Sequence, residues 1–179
     1  MHRLLVVGLY VSLAFSFFTG MAEAQQDGTK FDSKGDTQTY LSLAVEDQQV
    51  EIALGQLAAQ RAENARVKEF GAQMVNEHKK VRREFEQLAS RHTVPLPTKL
   101  TSEDKQKVEE LSQLSGHAFD RAYMNFALQN HEATLEKFRH HVNMLKYQDL
   151  REYFTATLPM LESHVEQARK VKHSLQTNP

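Results

Sequence analysis

Apolar residues recur at three- and four-residue steps along most of the chain, the spacing of helices that each turn one face inward. The cleanest stripe is Val67, Phe70, Met74, His78, Val81, Phe85 and Leu88. A second runs Phe119, Tyr123, Ala127, His131, Leu135, Phe138, Val142 and Leu145. A third takes in Leu150, Phe154, Leu158, Leu161, His164 or Val165, Ala168, Val171 and Leu175. Ahead of them, Tyr40, Leu43, Val50, Leu54 and Leu57 predict a helix from about Asp36 to Arg61. In each of the last three helices a histidine stands where a hydrophobe is expected.

The breaks between stripes carry their own signals. Asn64 is a natural cap between the first two helices. Pro95 and Pro97 exclude helix after Arg91 and favour an extended path. Thr101, with Glu103 and Asp104 in the following turn, starts a short helix ending near Leu114. Ser115-Gly116 restarts the chain, and Asp149 with Glu152 gives the last helix an acidic first turn. Pro159 inside that helix frees the carbonyl of Thr155 and predicts a kink. Four helices about 40 Å long are thus joined by two tight turns and one link. The link's extended part alone reaches ~30 Å. The fold class predicted is all-α, a ferritin-like four-helix bundle with a short extra helix in the long crossover between two helical hairpins. The bundle is assigned to residues 36–175 and the polar stretch 25–35 to a flexible lead-in.

The other apolar run is different in kind. Met1-His2-Arg3 precedes an apolar or small stretch from Leu4 to Phe18, and Ala22-Glu23-Ala24 precedes Gln25. A basic start, a short apolar centre and a small-x-small site make residues 1–24 a secretory signal peptide cleaved between Ala24 and Gln25. The run is short of the ~20 residues that span a bilayer, so the mature form is expected without a stable membrane span, periplasmic or secreted.

Composition adds little to the stripes except exclusions. The chain has no cysteine, so neither a disulfide nor a lipidated cysteine is available. With 22 Lys plus Arg against 23 Asp plus Glu, and Arg3 and Glu23 both lost with the leader, the charge balance gives no case for nucleic acid or an anionic membrane surface. No nucleophile elbow, phosphate loop or His-Glu-x-x-His occurs, so no reaction is implied and no protein partner is named by any motif.

The polar members of the stripes line up. Glu51 and His78 lie almost equally far from Asn64, and His131 and His164 almost equally far from Tyr147, so all four fall at mid-height in their helices. Burying them unpaired is costly. A divalent transition ion bound by Glu51, His78, His131 and His164 would supply the partner, and zinc or copper suits these donors better than magnesium or calcium. Ala44, Gly55 and Ala58 are expected to leave room beside Glu51. The alternative is a metal-free Glu-His network that fixes helix register or senses acid. Glu77, Glu132 and Glu162 adjoin the histidines in sequence and are candidate outer partners of a metal site. The Glu-x-x-His motif of di-iron bundles is absent, which speaks against the obvious analogy. Asp120 reads as an acid favouring a helix N-terminus, and His92, His117, His140, His141 and His173 as exposed end residues.

Val50-Glu51-Ile52-Ala53-Leu54-Gly55, Met74-Val75-Asn76-Glu77-His78, Leu114-Ser115-Gly116 with Phe119-Asp120 and Tyr123, His131-Glu132, and Thr157-Leu158-Pro159 with His164 also carry a resemblance. Over about residues 36–172 the chain resembles the exported bacterial family known as domain of unknown function number 4142, often labelled putative membrane or outer membrane protein. The resemblance implies a ferritin-like bundle and an extracytoplasmic location, and no established activity. The segment 1–24 accounts for the membrane label.

Overall fold

A computed structural model describes residues 33–177, with side chains described over 37–176. Four long helices are present: α1 (Ser33–Arg61), α2 (Ala65–Arg91), α4 (Gly116–His141) and α5 (Gln148–Thr177), with the short α3 (Ser102–Ser112) between the second and third of them. A 3-10 turn, Val142–Met144, follows α4. Among the described residues there is no strand, and no helix is long and apolar enough to cross a membrane.

The chain direction follows from what meets at each end. The turn between α1 and α2 is capped by Asn64, whose side-chain oxygen accepts from the Arg66 amide at 2.9 Å. Buried Asp120, in the second turn of α4, accepts from the Glu63 and Asn64 amides at 3.1 and 2.8 Å, so α4 starts where α1 ends. At the other end His92 bonds Asp149 at 2.8 Å and the Lys146 amide donates to Thr37. Each hairpin is antiparallel, α1 also packs on α4 and α2 on α5, and the link runs the length of the bundle. This is the one-crossover order that the loop lengths predict. The link is tied down by Gln49, which donates to the Pro97 carbonyl at 2.7 Å, and by Arg61 on the Ser112 carbonyl.

The stripes of α2 and α4 are buried along their full length, from Val67 to Leu88 and from Phe119 to Leu145. On α5, Leu158 and Val171 are only partly buried and Thr157 faces in. The first stripe needs correction. Leu43 is 48 % exposed, and the inward face of α1 is Leu41, Ala44, Val45, Gln48, Glu51, Leu54 and Ala58. Gln48, Glu51 and two alanines alternate with Leu41, Val45 and Leu54 on that face, so large apolar residues mark it only in part. The helix also starts at Ser33, ahead of the expected Asp36, because one glycine at Gly35 costs a helix only about 1 kcal/mol. Of the small residues of α1, Gly55 and Ala58 lie against α2. A side chain at Gly71 would meet Ala58 Cβ at 2.7 Å and the Gly55 carbonyl at 2.9 Å; they let the backbones of α1 and α2 approach.

Candidate metal centre

His78 on α2, His131 on α4 and His164 on α5 meet at mid-height, none more than 2 % exposed. Each offers a ring nitrogen, and the three lie within 4.8 Å of one another. His78 Nε2 and His131 Nε2 are 3.3 Å apart, about the edge of a tetrahedron of nitrogens at the ~2.0 Å bond length of zinc.

The outer nitrogens decide which atoms face the centre. The Ala127 carbonyl can only accept, so His131 Nδ1 donates to it at 2.7 Å and its Nε2 carries a lone pair inward. The Glu77 carboxylate accepts from His164 Nε2 at 2.5 Å, which leaves His164 Nδ1 buried, unprotonated and without a partner. Gln48 Oε1 lies 2.6 Å from His78 Nδ1 and in that orientation accepts from it, freeing the Nε2 lone pair. His78 and His131, each anchored by its far nitrogen, then turn bare Nε2 lone pairs on one another, with a ring nitrogen of His164 within 4.8 Å of both. Lone pairs in contact repel, and a cation removes the repulsion; an acceptor behind each imidazole is the usual setting of a metal-bound histidine. Burial, aided by His131 and His164, holds His78 well below the usual imidazole range. His164 is also lowered, by burial and His131 against the opposing pull of Glu77. Both are therefore neutral near pH 7, as ligands must be.

Residues 21–171 match the family described as Domain of unknown function (DUF4142). The chain belongs to that family. No curated protein and no solved structure matches it. In this DUF4142 chain the buried cluster that could hold a cation is carried by an all-helical scaffold.

The remaining predicted site residues fall in different places. Glu51 is in the same layer, 1 % exposed, but it is not one of the clustered donors. Its Oε1 accepts from Asn130 at 2.9 Å and lies 3.5 Å from His131 Nδ1, the nitrogen turned away from the centre. Its Oε2 has no partner, and burial, opposed by His131 and Asn130, raises its pKa above the usual carboxylate value. Glu77 joins the layer as the acceptor of His164. Glu132 and Glu162 do not; they pair with Arg169 and Arg139 across the exposed faces of α4 and α5. Ala24 and Gln25 lie outside the described residues.

Other readings change as well. Asp120 serves the α1–α2 turn, not the start of its own helix. His92 is partly buried, bonded to Asp149 and stacked on Tyr147 at 3.7 Å. The periodicity missed Gln48 and Asn130. Gln48 stands three residues before Glu51, hence on the same face of α1, which was the available signal; Asn130 had none.

Proposed function

We propose that this protein binds a divalent transition metal ion in the bundle core through His78, His131 and His164, with Glu77, Gln48 and the Ala127 carbonyl orienting the three imidazoles. The observation that carries this reading is the convergence of three imidazole nitrogens, two of them turned inward by partners that only accept. Imidazole donors favour zinc or copper over magnesium or calcium. An ion held there would link both hairpins at a fully buried level of the core. We further propose that the protein acts outside the cytoplasm, after cleavage between Ala24 and Gln25. The leader-like pattern of residues 1–24 supports this. Together these make it an exported metal-binding or metal-buffering protein.

One observation favours a second reading. If the Gln48 amide is turned, it donates to His78 Nδ1, His78 Nε2 donates to His131 Nε2 at 3.3 Å, and His131 donates to the Ala127 carbonyl. That chain needs no metal and would fix helix register. It leaves His164 Nδ1 unsatisfied, which is why the metal reading is preferred. Untagged protein purified from the exported fraction, assayed by elemental analysis, tests the choice. One equivalent of zinc or copper is expected, lost in the His78→Ala, His164→Ala double variant; equal and negligible metal in both supports the network instead. Intact mass of the same material should correspond to a chain starting at Gln25.

A further inference from the structure

An ion held by three imidazoles at this depth must still reach them. The histidines are buried, and so are two of the residues behind them, Gln48 and Ala127. Glu77 is the exception. Its side chain is 37 % exposed while its Oε2 holds His164 Nε2 at 2.5 Å. Its Oε1 accepts from Gln73, one turn earlier on α2, at 3.0 Å. One side chain thus reaches from the surface to a ligand. The seams between the long helices differ in how they are held at this level. α1 and α2 approach backbone to backbone at Gly55 and Gly71. The seam between α1 and α4 is crossed by Asn130 on Glu51 and Thr134 on Asp47, and α3 packs on both helices. Between α4 and α5 the groove is lined by buried Leu135 and Val165 and bridged by Arg139 with Glu162 and Arg169 with Glu132. α2 and α5 belong to different hairpins, and their seam is held by Glu77 on His164 and, further along, by Tyr153 on Glu84.

A sealed site loads when the structure opens locally, and local openings take the parts that are least held. A carboxylate at the mouth of such an opening attracts cations and binds zinc or copper through oxygen. We propose that the ion enters and leaves between α2 and α5, with Glu77 as its first ligand. This rests on the metal reading above and gives Glu77 a second task, capture of the ion at the surface in addition to orienting His164. When α2 and α5 part, the bond between Glu77 and His164 breaks and the freed carboxylate takes the ion. His78, the next residue on α2, receives it from there. Reclosure returns His164 and His131 to complete the ligand set and Glu77 to the outer nitrogen of His164.

The test is stopped-flow kinetics on the full mature protein, with zinc uptake followed from a weak chromophoric chelator and zinc release to an excess of a strong one. Glu77→Gln keeps an oxygen that accepts from His164 Nε2 and removes the charge. Its uptake should slow about tenfold or more, the low end of what a charged mouth adds to an association rate. An outer partner with no part in entry would leave uptake unchanged and speed only release, and that result overturns the proposal. Glu132→Gln, on the face of α4 and α5, should change neither rate; equal slowing in this variant overturns the proposal too, since a general attraction for cations would then suffice. Tyr153→Phe releases Glu84, two turns along α2 from Glu77, and loosens the same seam, so uptake and release should both quicken. Unchanged rates in Tyr153→Phe overturn the route, and this variant decides if Glu77→Gln no longer holds zinc. A wild-type protein that takes up no zinc overturns the metal reading itself.

Discussion

At the scale of single residues, the site depends on which nitrogen of each imidazole is free. Glu77 sets this for His164. Its removal leaves the ring free to turn its protonated face inward, so Glu77→Ala should weaken zinc binding by 10–100-fold, the usual cost of losing an outer partner. Competition against a chromophoric chelator measures this, and an unchanged affinity would remove Glu77 from the site. The same histidines give the metal-free protein a pH dependence. His78 and His164 have lowered values in the folded state, so the unfolded chain binds more protons below about pH 6.5. Their contribution to stability is complete above that pH and is lost as pH falls toward the folded values. Glu51, raised by burial, works in the opposite direction at lower pH, but two imidazoles outweigh one carboxylate in the upper window. The urea midpoint should therefore fall between pH 7.5 and 5.5, with a smaller fall in His78→Gln; a flat midpoint would mean that the histidines are not neutral when buried.

At the scale of helices, α1 and α2 touch through glycine. A methyl group at Gly71 meets Ala58 Cβ and the Gly55 carbonyl, both fixed to backbone, so Gly71→Ala should cost about 1–3 kcal/mol as overpacking. Equilibrium denaturation checks the loss, and a neutral or stabilising result would show that the two helices can separate freely. Legibility in the sequence followed side-chain size. The faces of α2 and α4 could be read because large apolar residues occupy them throughout. The face of α1 could not, because its inward residues include Gln48, Glu51 and alanines whose burial depends on what the neighbouring helices bring to meet them.

At the scale of the whole molecule, the three proposed ligands come from both hairpins. A bound ion therefore opposes their separation and not merely the fraying of one helix. At a free zinc concentration about 1,000 times the dissociation constant, linkage predicts about 4 kcal/mol of added stability. The shift should appear in thermal unfolding of the wild-type protein and vanish in the His78→Ala, His164→Ala double variant. Equal shifts in both would place the ion elsewhere.

By itself the sequence determined the helices, the two hairpins with one long crossover, and the mid-height position of Glu51, His78, His131 and His164. Period, turn residues and distance along a helix from a turn are local quantities, and a rise of 1.5 Å per residue converts count into height. Tertiary structure alone decided which of the four converge. Height does not set the rotation of one helix against another, and that rotation turns Glu51 toward the outer nitrogen of His131 while bringing the three inner nitrogens together. It also decided that Gln48, Glu77 and the Ala127 carbonyl stand behind the imidazoles, because those contacts depend on side-chain direction across packed helices, which periodicity does not contain.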